Sequence, residues 1–355
     1  MKLYDLKLTL VSALGTPLAA DTIFGHICWG IRYYKGVAAL KEFLNSFEAG
    51  KPPLVISDPF PDGFWPIPLL PKPTPAQEKK LLDLIRKQSR SKLRDRLPGC
   101  PFEQQPKTNE ITMVEAFDVL KWLGKLRWVK AKTLEQLINE ISTYRILDYF
   151  TKNGCGQLNM PKEAMVAHNI INRLTNTVLT SGGLFFTKDL YVSLKEPVRF
   201  HILIATDAYT QNDIVGLFED ALCCGYGRDK STGKGKIKVG EIIPFEMPKV
   251  ENPNAVLLLG PCAPKEDDPA DGYWQVFTRY GKLGGDWATG PGPTGEHNPF
   301  KKPLTMLKAG SVLFTDSPNL YYGRLIDNVH PDFTEVRHYG LALAMPIHCD
   351  LQELK

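Results

Sequence analysis

Between Gly225 and Lys236 the chain reads Gly-Tyr-Gly-Arg-Asp-Lys-Ser-Thr-Gly-Lys-Gly-Lys. Four glycines, four cations and a Ser-Thr pair fall within twelve residues. Glycine admits positive φ and lets a ligand reach the main chain with no Cβ in the way. Lysine and arginine beside exposed N–H groups receive phosphate oxygens. The candidate polyanion ligands are therefore Gly227, Arg228, Lys230, Ser231, Thr232, Gly233, Lys234 and Lys236. A solvated hairpin loop is the plainer alternative, although turn chemistry alone needs fewer glycines. A Walker loop is excluded. It needs four residues between its first Gly and the Gly-Lys pair, whereas five separate Gly227 from Gly233. The flanks are also reversed, with a helical pattern before and a strand after, which excludes the dinucleotide fingerprint too.

A second polar cluster holds His168, Asn169, Asn172, Arg173, Thr175, Asn176 and Thr177, followed by Ser181-Gly182-Gly183. Gly-Gly between apolar runs is a hairpin signal, and the polar side chains could contact a ribose–phosphate chain or merely decorate a loop. His26 falls off the apolar stripe of a helical pattern, which suits an exposed or hydrogen-bonded histidine; its chemical role would be that of acid or base. Asp21 reads as the N-cap of that helix, the alternative being an acid in a cleavage site.

The elements around these residues follow from length and patterning. At 355 residues the prior is roughly two domains. With 43% hydrophobic and 23% charged residues the composition is globular, and a net charge of +4 confines any polyanion site to a local cluster at 228–238. The seven cysteines form no C-x-x-C pair and no histidine spacing completes a zinc site, so neither metal nor cofactor is expected. An odd cysteine count without a secretory signal predicts reduced thiols and a soluble cytoplasmic protein. No apolar run approaches the ~18 residues of a membrane span.

Residues 3–11 alternate as a half-buried strand, with Tyr4, Leu6, Leu8 and Leu10 on one face. The helix after Asp21 sets Phe24, Ile27, Cys28 and Ile31 on one side, and its Gly25 and Gly30 suggest close packing against a sheet. Nine prolines between Pro52 and Pro75 rule out a central strand there. Helical patterns follow near 76–96, 109–124 and 133–149; the first has a basic face that either touches RNA or is solvated. This stretch is expected to be an insertion, too broken to hold its own core. Strand, helix and strand patterns recur at 198–208, from Thr210, and at 236–239, with further strands at 255–260, 273–280, 311–315 and 338–346. Residues 281–299 read as a flexible surface loop. The two halves thus begin alike, and a strand–helix–strand–strand–helix–strand unit used twice accounts for it. The fold class is α+β: two ferredoxin-like (RRM-like) domains with antiparallel sheets. The expected boundaries are 1–195, with an insertion at about 51–150 and a hairpin at about 160–195, and 196–355, carrying the loop 225–236. RNA-binding sheets of this kind display aromatics on an open face. No clear version is visible here, which moves the contact to loops.

Several motifs in order resemble one family: Leu14-Gly15-Thr16-Pro17-Leu18, Asp21 to Trp29, Ser57-Asp58-Pro59-Phe60-Pro61, His168 to Arg173, Gly225 to Gly233, Asn298 to Pro303 and Tyr339 to Ala344. Together they are similar to the fourth subunit of type III-A CRISPR (Csm) effectors, a Cas-five-like group of the RAMP superfamily. The resemblance implies a non-catalytic cap of two ferredoxin-like domains and a hairpin thumb. It would hold the 5′ handle of the CRISPR RNA, dock the Cas-ten-type large subunit and adjoin Cas-seven-like backbone subunits. It implies that Gly227 to Lys236 face the handle backbone, and that Thr16, Pro17, His168, Asn169, Asn172 and Arg173 complete the groove. The physical logic agrees, since phosphate contacts position a strand while Asn and Arg can read splayed bases. Three alternatives stand beside it: a metal-independent RAMP ribonuclease using His26 with Tyr33, Tyr34 or Lys230; an assembly protein whose basic loop meets an acidic partner; and a backbone-type subunit with Asp21 as target-cleaving acid.

Overall fold

The structure, a computed structural model, describes residues 1–102, 108–179, 181–193, 195–288 and 298–350. Two compact units are each assembled from three separated segments. The first comprises 1–54, 159–245 and 282–300; the second comprises 55–158, 246–281 and 301–355.

The first unit is built on three antiparallel strands, with Lys2–Leu10 between Ile237–Pro244 and Arg199–Thr206. The alternation of the first strand aligns Leu6 with Ile202 and Leu8 with Phe200, and Leu6, Leu8 and Leu10 are buried. Each strand is followed or preceded by a helix. Ala20–Glu48 follows the first, and Gln211–Leu222 joins the other two. The two helices pack on one another. At their contact a Cβ on Gly30 would lie 3.2 Å from the Ala221 nitrogen, so Gly30 serves a helix–helix approach rather than the expected helix–sheet contact. Gly25 faces open space, and nothing in the structure explains it. Helix Gln211–Leu222 starts at a capping box formed by Thr210 and Asp213, as the sequence predicts. The N-cap of the first helix is Ala19, not Asp21; Asp21 sits in the first turn, 6% exposed, accepting a hydrogen bond from the Thr22 hydroxyl at 3.1 Å. There its carboxylate complements the helix dipole without capping. A long hairpin, Lys162–Asn169 against Leu184–Tyr191, completes this unit.

The second unit centres on a five-stranded antiparallel sheet, in the order Gly272–Tyr273, Val312–Phe314, Ala255–Leu258, His338–Ile347 and Tyr321–Ile326. Val256, Leu258, Leu313, Tyr322 and Ala342 form its core. Its helices are Pro75–Arg86, Arg90–Arg96, Met113–Leu123, Ala131–Leu137 and Thr143–Asn153. In the proline-rich stretch only two- and three-residue strands form, Val55–Ile56, Phe60–Pro61 and Phe64–Pro66, as proline's missing donor requires.

Three expectations are corrected here. The chain does not divide at residue 195, because strand Arg199–Thr206 and helix Gln211–Leu222 complete the first unit. The helical stretch is not an insertion in the first unit; it groups with the C-terminal sheet. The basic segment near 76–96 is two helices. Arg90 within it is buried, its guanidinium forming a two-pronged bond to Glu115 (2.8 and 2.6 Å), and Arg96 donates to the Thr151 carbonyl. Of the expected loop at 281–299, residues 289–297 lie outside the described residues, while Gly285–Ala288 forms a 3-10 turn. Among the described residues no helix is long and apolar enough to cross a membrane.

Candidate nucleic-acid interface

The glycine-rich loop has a fixed path set by positive-φ residues. It leaves the helix through Gly225 (φ +83°) and Gly227 (φ +72°) and returns through Gly233 (φ +91°) and Gly235 (φ +74°). Space demands glycine as well at two of these. A Cβ on Gly235 would lie 2.0 Å from the Tyr226 carbonyl oxygen, and one on Gly227 would lie 2.8 Å from the Thr16 Cβ. Asp229 (φ +60°) then leads into a single 3-10 turn, Lys230–Thr232, whose Thr232 N–H and hydroxyl both donate to the Asp229 carbonyl (3.0 and 2.9 Å).

The base of this loop is stitched to residues 13–19. Tyr226 is fully buried; its hydroxyl donates to the Pro17 carbonyl (2.9 Å) and accepts the Ala19 N–H (3.0 Å). The Arg228 N–H donates to the Thr16 hydroxyl (3.1 Å), and the Gly235 N–H to the Ala13 carbonyl (2.7 Å). Leu14 in turn exchanges two 2.9 Å backbone bonds with Leu190 at the hairpin base. Thr16 and Pro17 thus act as supports for the loop.

Asp189 ties the loop to the hairpin. Its carboxylate is fully buried and receives the Arg228 guanidinium at 2.8 Å and the Lys234 ammonium at 2.6 Å. Burial alone would push this carboxyl up; the hydrogen bond and charge of Lys234, with the charge of Arg228, outweigh it and hold the carboxyl below the usual range. The Lys234 ammonium is correspondingly raised, mostly by its bond to Asp189. Arg228 and Lys234 are therefore already paired within the protein. Lys230, Ser231, Thr232, Gly233 and Lys236 are exposed, and among the described residues neither Lys230 nor Lys236 has a salt-bridge partner.

His26 stands behind the loop. Its Nε2 accepts the Gly227 N–H at 3.2 Å, and its ring stacks on Tyr226 at 5.3 Å. Burial, then the nearby Lys230 charge, lowers its pKa to about 4 despite the opposing effect of the Ala221 backbone, so the imidazole is neutral at pH 7. Its Nε2 is engaged in holding the loop backbone.

The hairpin extends the surface. His168 stacks on Phe185 (centroids 5.1 Å, 13° between planes) and shares a 2.9 Å hydrogen bond with the Thr187 hydroxyl. Phe185, Thr187 and Asp189 alternate onto one face, so His168 lies up the same face as the loop's anchor, about 13 Å from it at strand spacing. Asn169 falls on the opposite face. Asn172 shapes the outer turn, its Oδ1 accepting the Leu174 N–H (2.9 Å) and its carbonyl the Asn176 N–H (2.8 Å); Arg173 is exposed there. The turn is thus at 172–176, and Gly182-Gly183 sits at a break between two ladders, where the Gly183 carbonyl accepts the Ile170 N–H (2.7 Å). Of the predicted residues the structure brings together Thr16, Pro17 and 227–236, sets His168 on the adjoining face, and leaves Asn169, Asn172 and Arg173 toward the hairpin's outer end. Asp189 and Tyr226, which organise the site, carry no distinguishing signal in the sequence.

Solved structures share this architecture from end to end. One is the "Csm1-Csm4 cassette in complex with cA4", matching at TM-score 0.53 and 14% identity over 98% of this chain and 99% of the matched chain. Another is the same cassette with AMPPNP, at TM-score 0.52 and 16% identity over the same shares. The chain has the fold of a Csm-complex chain. The "Csm3-Csm4 subcomplex in the type III-A CRISPR-Cas interference complex" matches likewise, at TM-score 0.50 and 14% identity over 98% of this chain and all of the matched one. No protein-family model matches the sequence, and no curated protein matches it. The Csm-type fold therefore emerges from shape at identities where sequence comparison is silent.

Proposed function

We propose that this chain is the Cas-five-like fourth subunit of a type III-A CRISPR effector, a non-catalytic cap that holds the 5′ handle of the guide RNA. The observation that carries the reading is the division of charge in the glycine-rich loop. Arg228 and Lys234 lock the loop onto buried Asp189, while Lys230, Ser231, Thr232 and Lys236 are presented to solvent from a fixed backbone. A preorganised loop with cations free of salt bridges beside exposed hydroxyl residues suits a sugar–phosphate chain. The Csm4 name common to both kinds of neighbouring assembly supports the subunit, and with it contacts to a Cas-ten-type large subunit and Cas-seven-like backbone subunits. In this reading the first unit is one ferredoxin-like domain and the second a derived one, its helices supplied by residues 75–153. His168 and Asn169, Asn172 and Arg173 would meet the strand further along the hairpin.

The Gly227 N–H bonded to His26 Nε2 disfavours a ribonuclease built on that residue, and the burial of Asp21 disfavours a cleaving acid. Binding of handle RNA and scrambled RNA across a salt series tests the proposal. With two free lysines on phosphates, the log–log salt slope should be near −1.4, at about −0.7 per contact for a single strand. Lys230→Ala with Lys236→Ala should remove most of that slope. Equal, weak binding of both RNAs would favour a purely structural assembly role instead.

A further inference from the structure

One feature of the first unit is left over by the groove: a ladder of rings on the first helix. The Arg32 guanidinium lies 4.9 Å from the Trp29 ring centroid and 5.0 Å from that of Trp287, and the two indoles meet edge to face at 5.6 Å. Backbone also presses on Trp29, since Cβ atoms on Gly284 and Gly285 would lie 2.8 and 2.6 Å from its ring. Trp29 is thus fixed from several directions. The Tyr33 ring, 5.3 Å from Trp29, is the outermost member and is 57% exposed. Its hydroxyl reaches Asp286 at 3.4 Å, and Asp286 is offset by Arg32 at 3.9 Å, so little negative charge is left to repel a phosphate.

The ladder adjoins the glycine-rich loop. His26, Trp29 and Tyr33 recur at helical spacing on one side of the helix, and His26 holds Gly227. A solvent-facing aromatic about 10 Å along the helix from the histidine that holds the loop has the make-up of a single-strand subsite, with the loop's lysines for phosphate and the ring for base.

We propose that Tyr33, held in place by the Trp29–Arg32–Trp287 stack, is a stacking platform for one base of the single-stranded RNA whose backbone is held by Lys230 and Lys236. This rests on the RNA-binding reading above. It adds a base contact on the helix side of the loop, where neither charge pattern nor hairpin supplies one. Stacking is indifferent to base identity, so the platform fixes position rather than sequence.

The test uses the full-length chain and a short single-stranded RNA carrying 2-aminopurine at one position at a time. Stacking on Tyr33 predicts one position whose fluorescence is quenched on binding. Tyr33→Ala should abolish that quenching and weaken binding roughly tenfold, with the salt slope unchanged, since no cation is removed. Tyr33→Phe, which keeps the ring and loses the bond to Asp286, should retain both. Tyr33→Ala binding RNA as tightly and quenching it as strongly as the parent would overturn the platform and leave the lysine groove standing. Loss of quenching in Tyr33→Phe as well would assign the effect to the hydroxyl and also overturn it. Failure of the unsubstituted chain to bind RNA would remove platform and groove together.

Discussion

The Nε2 atom of His26 accepts the backbone N–H of Gly227 at 3.2 Å, joining the first helix to the start of the glycine-rich loop across 201 residues of sequence. Only a neutral imidazole can accept this bond. The pKa of His26 falls from 6.5 to about 4 in the folded chain. The unfolded chain therefore binds the proton more readily. The stabilisation is complete above pH 6.5 and is lost as pH falls toward 4, amounting to at most about 3 kcal/mol. Urea unfolding midpoints measured from pH 7.5 to 4 should decline through this window. In His26→Gln, which cannot titrate, that part of the decline should be missing.

Asp189 makes the second prediction. Breaking a buried pair leaves charges uncompensated, so Asp189→Asn should destabilise the chain by about 2–3 kcal/mol, toward the low end because Arg228 is partly exposed. Among the described residues it also leaves Arg228 and Lys234 with Asp229 alone as acidic partner, at 3.9 and 3.0 Å. If the loop keeps its path, RNA binding should become more salt-dependent, with a slope steeper by up to about 1.4. Chemical denaturation and a salt titration of the same variant measure both effects.

The glycines should separate by what surrounds them. Gly233→Ala meets no atom within 4 Å and costs only the left-handed backbone, roughly 1–2 kcal/mol. Gly235→Ala forces a methyl onto the Tyr226 carbonyl and must displace the loop. Limited proteolysis should nick the loop much faster in Gly235→Ala than in Gly233→Ala.

What the sequence disclosed was local. Alternation at Tyr4, Leu6, Leu8 and Leu10 marked the first strand, the Thr210–Asp213 pair marked a helix start, and the glycines marked a loop with unusual backbone. What it hid was long-range. The pairing of Leu6 with Ile202 closes a sheet across nearly two hundred residues, and no local periodicity encodes it, so a cut at 195 looked natural. The loop's cations looked alike because charge says nothing of partners; only folding brings Asp189 under Arg228 and Lys234 while leaving Lys230 and Lys236 outside. Asp21 looked like a cap by residue type, yet Ala19 holds the extended backbone that starts the helix.

In the second unit Arg90 is structural. Glu115 is held at a pKa of about 2, first by its hydrogen bond to Arg90 and against the opposing effect of burial. Arg90→Ala should destabilise the chain by on the order of 3 kcal/mol, leaving a buried carboxylate unpaired. RNA affinity and its salt slope at a temperature where the variant is folded should match the parent, which a direct RNA contact at Arg90 would not allow.

The central claim is that the exposed rim of the glycine-rich loop meets the 5′ end of a guide. Photo-crosslinking an assembled effector complex that contains this chain, with 4-thiouridine placed in the 5′ handle, tests it most directly. Crosslinked peptides should map to 230–238 and to the His168 face of the hairpin. Crosslinks to this chain confined to the second unit, or to the loop only when the probe lies in the variable spacer, would contradict it.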